Sequence, residues 1–212
     1  MWELYDIFLD NMDESETMAD FLTGPRWAAV QSSSGSVGVA PVIHEQRDRF
    51  EFSYRPVKGM PLKEMAAHLK FWNFLEASLA LAAVNACYNV PGSDESSPPH
   101  RKLPGGRRVR KSFQAFCEEH TTEGLTILAE PLYDQNELSQ LPGRKMVLRQ
   151  DPESGDYLYT AGTALIPEAD RLILSGGSLV NKTAGILYEH AKRSGVPVFL
   201  FGPEIPLCPA LL

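Results

Sequence analysis

The longest apolar run in the chain, Trp72 to Asn89 (WNFLEASLALAAVNACYN), carries one charge, Glu76, and three amide side chains. Such a run predicts a helix buried on nearly every side. At about 100° per residue, Asn73 and Glu76 lie within about 60° of each other, while Ser78, Asn85 and Asn89 cluster nearly opposite. A buried amide without a partner costs about 1–3 kcal/mol and an ionised carboxylate more, so both polar spots need hydrogen bonds, a counter-ion or a ligand. If the preceding helix, Leu62 to Lys70, ends at Phe71, Asn73 is placed to cap the next one with Glu76 as its N3 partner. The same two residues are also placed to meet a ligand. For Ser78, Asn85 and Asn89 the first expectation is satisfaction by neighbouring backbone.

Ahead of these helices the pattern predicts a helix over Glu3 to Met12, strands over Trp27 to Ser32 and Val37 to Ile43, and a third strand around Arg49 to Tyr54. The intervening SSSGSVG suits a hairpin turn or an anion-facing loop. After Thr122 the pattern changes to short apolar runs alternating with amphipathic stretches, the signature of β-α units around a parallel sheet. Leu125 to Ala129, Lys145 to Arg149, Arg171 to Leu174 and Pro197 to Phe201 are the expected strands. A helix is expected over Val180 to Arg193, closed by Ser194-Gly195. Between the halves, Val90 to Arg110 is rich in proline, glycine, serine and charge, which reads as a linker. The organisation expected is 1–90, an α+β domain; 91–122, a linker or mobile loop; and 123–212, an α/β domain.

Composition narrows the function classes. The 212 residues are 43% hydrophobic, enough for a core without covalent staples. A net charge of −7 argues against a nucleic-acid-binding body. Six basic residues between Arg101 and Lys111 stand without an acid among them, as in a solvated linker or a contact for an acidic partner. Cys87, Cys117 and Cys208 are odd in number and far apart, so a reducing, cytoplasmic setting is expected. The start of the chain is acidic and amphipathic, unlike a secretory signal. The Trp72 run is too short, and too charged at Glu76, to span a membrane.

Open parallel sheets bind ligands at the carboxyl ends of their strands. Here those ends carry Glu130 and Pro131, the stretch Ser175 to Thr183, and Gly202 to Pro206. In the first loop of interest, Ser175, Gly176, Ser178, Asn181, Lys182 and Thr183 gather glycine, hydroxyl, amide and ammonium groups at a helix start, which favours anions. Capping by Ser178 or Asn181 accounts for part of the pattern. It is neither a Walker motif nor a GxGxxG fingerprint. The Gly202-Pro203-Glu204 turn sets a carboxylate at the sheet edge, as a ligand for a cation or ribose hydroxyl, or as an exposed acid in a stiff loop. The five histidines form no HxH, HxxxH or HxxE set, so no direct transition-metal site is visible. Oxygen ligands from Glu76 and Glu204 suit a hard or pre-chelated ion.

The pieces WNFLEASLALAAVNACYN, DPESGDYLYTAGTALIPEAD, SGGSLVNKT and FGPEIPLCPALL, in order over most of the chain outside Pro91 to Thr122, resemble the two-domain prokaryotic putative heavy-metal chelation family. That resemblance implies an enolase-N-terminal-like α+β domain followed by a Rossmann-like domain, with a cleft lined by both. It carries over to Asn73, Glu76 and Asn85 in the first domain, and to Ser178, Lys182, Thr183, Gly202, Pro203 and Pro206 in the second. Two departures stand out. Where similar proteins tend to have glycine after the first Rossmann strand, this chain has Ala129-Glu130-Pro131, which weakens close backbone approach to a phosphate. The chain also reaches Leu212 where a helix after Pro206 is expected, and the family continues, so either this member is shortened or the segment is incomplete, and an incomplete sheet edge would need covering by a partner chain.

Three functions follow from these features. The first is a binding protein with a small-molecule, heavy-metal or metal-chelate ligand in the interdomain cleft, working as a homo-oligomer without nucleic acid or membrane partners. The second is a Rossmann-type enzyme of unassigned reaction, with Glu76 as general base and Lys182 as electrostatic stabiliser. The third is a degenerate scaffold. Neither the ligand nor a reaction is named by the residues, and no GxSxG or Cys-His motif appears.

Overall fold

The computed structural model describes residues 1–43, 57–88, 124–132, 138 and 143–211. The expected strand at Arg49 to Tyr54, the linker 91–122 and its basic run lie outside the described residues.

Helix α1 (Glu3–Asp10) is amphipathic and buries Leu4, Tyr5 and Phe8. It stops two residues short of the expected Met12, and Asn11 closes it by donating Nδ2 to the Ile7 carbonyl. Strands β1 (Met18–Thr23), β2 (Trp27–Ser32) and β3 (Val37–Pro41) form an antiparallel meander. β1 is absent from the sequence expectation because Asp20, Phe21 and Leu22 are all exposed, so no apolar alternation marks it. The serine-rich turn is a hairpin, with Gly35 at φ 90°. Its anion-facing donors are taken by the chain's own Glu16, whose carboxylate accepts from Ser33 Oγ at 2.8 Å and from the Ser34 amide at 3.2 Å.

Helix α2 (Leu62–Ala67) tightens into a 3₁₀ turn at His68–Lys70, and α3 (Phe74–Tyr88) follows. Every residue of α3 from Phe74 to Ala86 is buried, as its sequence requires. Gly38 lets the meander lie directly on it: a Cβ there would come within 2.1 Å of the Ala82 carbonyl oxygen and 2.2 Å of the Ala86 nitrogen.

The second half holds five parallel strands, β4 (Leu125–Ala129), β5 (Arg144–Arg149), β6 (Tyr157–Leu158), β7 (Arg171–Leu174) and β8 (Val198–Leu200), in the order β6-β5-β4-β7-β8. β6, two residues at the sheet edge, is too short to have shown in the sequence. It leads through the helical turns around α4 (Gly162–Leu165) back across the sheet to β7. The order therefore reverses between β4 and β7, the position where open α/β sheets bind ligands. Between β7 and β8 lie two helices rather than the single one expected: α5 (Gly176–Val180) and α6 (Thr183–Ser194), parted by Lys182 at φ 71°. After β8, a 3₁₀ turn at Pro209–Leu211 follows Pro206.

The two sheets share one core. α3 and β3 pack against α5, α1 packs against α6, and Tyr5 donates its hydroxyl to the Leu179 carbonyl at 3.0 Å. One continuous cluster joins Leu4, Phe8, Met65 and Leu81 to Ile127, Leu148, Leu172 and Leu187. Leu128, Val147 and Ile173 form a second cluster with Leu138. No helix among the described residues is long and apolar enough to cross a membrane.

Candidate functional site

Asn73 caps α3, its Oδ1 accepting from the amides of Leu75 at 3.0 Å and Glu76 at 3.2 Å. Glu76, fully buried, lies 3.1 Å from Nδ1 of the part-exposed His68 through Oε2. Ser78 bonds back to the Phe74 carbonyl at 2.8 Å. Asn85, at the other end of the helix, divides its amide between the carbonyls of Val39 and Glu204, each at 2.8 Å. The described polar spots of α3 thus serve separate ends of the helix, with Asn85 reaching the second sheet's turn, while Asn89 lies outside the described residues.

The loop after β7 closes on itself and on the end of β4. Ser175 Oγ donates to the Glu130 carbonyl at 2.5 Å, and Ser178 Oγ to the Ser175 carbonyl at 2.6 Å. Asn181 Oδ1 accepts from Thr183 through both its amide (3.1 Å) and its hydroxyl (2.7 Å), fixing the start of α6. Lys182 directs Nζ to the Val180 carbonyl at 2.5 Å and over the Phe74 ring, 5.2 Å from its centroid.

Glu204 departs from the expected exposed acid. Gly202 and Pro203 turn the chain so that Glu204 is fully buried, while Pro203 stays exposed. Glu204 Oε1 accepts from the Gly176 amide at 3.0 Å, and Oε2 has no hydrogen-bond partner among the described residues. Both flanking glycines are required for space: a Cβ at Gly176 would lie 1.9 Å from Glu204 Cγ, and one at Gly202 2.5 Å from its carboxyl oxygens. Burial pushes the carboxyl up to about 7, opposed by the Gly176 amide and its own. Glu76 and Glu204 each hold a partner in their own half, His68 and Gly176. Among the described residues, no group of three or more His, Cys, Asp or Glu side chains could hold a metal ion.

A cleft of about 380 Å³ opens between the two sheets at the switch point. Arg26, Trp27 and the exit of β3 through Val42 line one wall; Glu130, Arg149 and Gly177 line the other. Arg26 and Trp27 are exposed. Arg149 is fixed by Nε to the buried carboxylate of Asp156 at 2.7 Å and by Nη1 to the Pro131 carbonyl at 3.1 Å. Glu130 Oε1 accepts from the Gln150 amide at 2.5 Å and from Asn181 Nδ2 at 2.7 Å, with Arg149 Nη1 4.0 Å from its Oε2. Burial is the largest influence on the Glu130 carboxyl and raises it, against these three neighbours. Of this lining, Arg26, Trp27 and Arg149 are not among the candidate site residues of the sequence: the first two stand at the start of one strand and the third closes another, joined only by the fold. Asn181, Gly176, Ser175 and Glu204 sit behind the wall that carries Glu130 and Gly177. A smaller cavity of about 20 Å³, between Leu128, Ile173, Ser175 and Gly202, lies at the ends of β4 and β7.

A parallel sheet with a cleft at its switch point, joined through a shared core to a small α+β unit, defines a two-domain Rossmann-like protein. Residues 5–88 match the DUF4213 family model and residues 145–212 the DUF364 model, both described as "putative heavy-metal chelation". A DUF364-family structure of unknown function from Desulfitobacterium hafniense DCB-2 aligns with all of this chain and 82% of its own, at 26% identity and a TM-score of 0.77. One from Pyrococcus horikoshii aligns with 95% of this chain and 79% of its own, at 20% identity and a TM-score of 0.65, a likeness of fold. No curated protein matches the chain.

Proposed function

We propose that this is a binding protein whose ligand, a metal chelate with anionic arms, occupies the cleft between the two sheets. The observation that carries the reading is the lining: two guanidinium groups, Arg26 and Arg149, and one carboxylate, Glu130, around about 380 Å³ at the switch point. The exposed Arg26 guanidinium is matched to the carboxylates of a chelator, and the Trp27 ring offers apolar contact area. Glu130 Oε2 gives an oxygen to a hard ion or to a hydroxyl. The description carried by both family models supports the metal. Binding of a pre-formed chelate needs few ligating side chains from the protein, in keeping with the donors gathered here.

The test is thermal unfolding of metal-stripped protein with free divalent ions, molybdate and metal complexes of citrate and of aminocarboxylates. A ligand at about 100 times its dissociation constant stabilises by about 2.7 kcal/mol. Stabilisation by a chelate, weakened in Arg26→Ala, supports the reading. Stabilisation by none of them, with the protein folded, overturns it.

A further inference from the structure

We propose that the Glu130 carboxylate fills, from within the chain, the anion position of the switch-point crevice, and so makes the cleft refuse a phosphate there. The proposal rests on the cleft as binding site and adds a rule for what it admits.

Glu130 follows β4 and has φ 48°, a left-handed backbone conformation that a β-carbon disfavours and glycine takes freely. A residue with a long side chain is held there by the contacts that side chain makes. Those contacts are the ones an anion would use. The Gln150 backbone N–H and the Asn181 amide N–H both point at Oε1, and the Arg149 guanidinium stands 4.0 Å from Oε2. A backbone donor, a side-chain amide and a guanidinium at the end of the central strand of an open parallel sheet together form an anion cradle. Asn181 is itself fixed by Thr183, and Arg149 by Asp156 and the Pro131 carbonyl, so both donors keep their aim whatever occupies the cradle. Gly177 stands beside it, where an added β-carbon would make ordinary contacts with Glu130 Cβ at 3.4 Å and Ser175 Oγ at 3.5 Å.

With its own carboxylate in place, the cradle has its donors occupied and repels a second anion. A ligand at this end must bring a cation or a hydrogen-bond donor toward Oε2, and its anionic groups must turn to Arg26 across the cleft. Ligands whose recognition depends on a phosphate at the strand end are thereby excluded. The same device operates at the β2–β3 hairpin, where Glu16 occupies the donors of the serine turn.

The experiment is calorimetric titration with inorganic phosphate and pyrophosphate. Wild type shows no saturable binding at millimolar concentrations. Glu130→Gly, which removes the carboxylate and suits the left-handed backbone, binds at least about tenfold more tightly, the scale of one charge-assisted hydrogen bond. Adding Asn181→Ala to that variant removes the gain. Saturable phosphate binding by wild type that Asn181→Ala weakens would overturn the proposal, and so would a folded Glu130→Gly protein with no gain. Metal complexes titrated in parallel separate the two ideas: wild type that ignores every chelate while Glu130→Gly takes up phosphate leaves this proposal standing and removes the proposed function.

Discussion

Asn85 donates its side-chain amide to the backbone carbonyl of Glu204, 119 residues further along the chain, at 2.8 Å. Its other donor bond goes to Val39, so one amide on a buried helix joins the meander to the turn after β8. Replacing Asn85 with alanine takes the side-chain donor from two carbonyl oxygens, that of Glu204 in a buried bond and that of Val39 in a part-buried one, and a buried group left unsatisfied costs about 1–3 kcal/mol. Asn85→Ala should lose about 2–4 kcal/mol in urea unfolding. A loss below about 1 kcal/mol would mean the tie carries no weight.

Asn73→Ala tests the cap at the opposite end of the same helix. The expected loss is about 1 kcal/mol, the usual cost of removing an N-cap side chain. Chelate binding should be unchanged, because Asn73 lies away from the cleft lining. A variant of normal stability that no longer binds would instead make Asn73 a ligand contact.

Gly38→Ala should be among the most damaging small substitutions in the first half. The added carbon meets α3 backbone at 2.1–2.2 Å, and backbone cannot rotate away as a side-chain tip can. A loss of about 3 kcal/mol or more is expected, read as a fall in the denaturant midpoint. Gly35→Ala in the hairpin meets no atom and should cost less, from its positive φ alone.

Glu204 makes stability depend on pH. Its folded-state pKa, about 7, lies above the ordinary 4.5, so the folded protein holds this proton more tightly than the unfolded chain. The contribution is fully present below about pH 4.5 and is lost as pH rises through about 7. It amounts to about 3 kcal/mol at most. Glu204→Gln, neutral at every pH, should flatten the curve over that window and gain on wild type at pH 8. Parallel curves for the two proteins would remove Glu204 as the source.

Arg26→Ala should weaken chelate binding by about tenfold and leave the melting temperature of the free protein unchanged, since the side chain is exposed. Arg149→Ala should lower both, because Arg149 also neutralises Asp156, whose side chain is fully buried. Equal effects of the two substitutions on the unliganded protein would contradict this division.

Much of the fold was legible because burial writes itself into composition. Leu125–Ala129 and Arg171–Leu174 are buried strands with the bounds their apolar runs indicate, and α3 announces itself by having no polar face. β1 and β6 were not legible, since an exposed edge strand needs no apolar alternation. The division of the helix after β7 was hidden too: Asn181 and Lys182 both suit a helix locally, and the break is imposed by the bonds of Asn181 to Glu130 and Thr183. For the cleft, the carboxyl ends of the strands pointed to Glu130 and the glycine loop. Arg26, Trp27 and Arg149 could not be inferred in the same way, because their neighbourhood is created by placing the first sheet beside the second.

Sharing α3 and α1 between the two sheets has a mechanical consequence. Closure of a cleft around a ligand ordinarily asks one lobe to swing on a hinge, but here such a swing would tear a continuous interior and the Tyr5–Leu179 and Asn85–Glu204 bonds with it. The two walls are therefore fixed like the jaws of a gauge, and under the proposed function selection would rest on whether a ligand fits a gap of set width. Heating should accordingly give one unfolding transition for the whole molecule, with neither sheet outlasting the other.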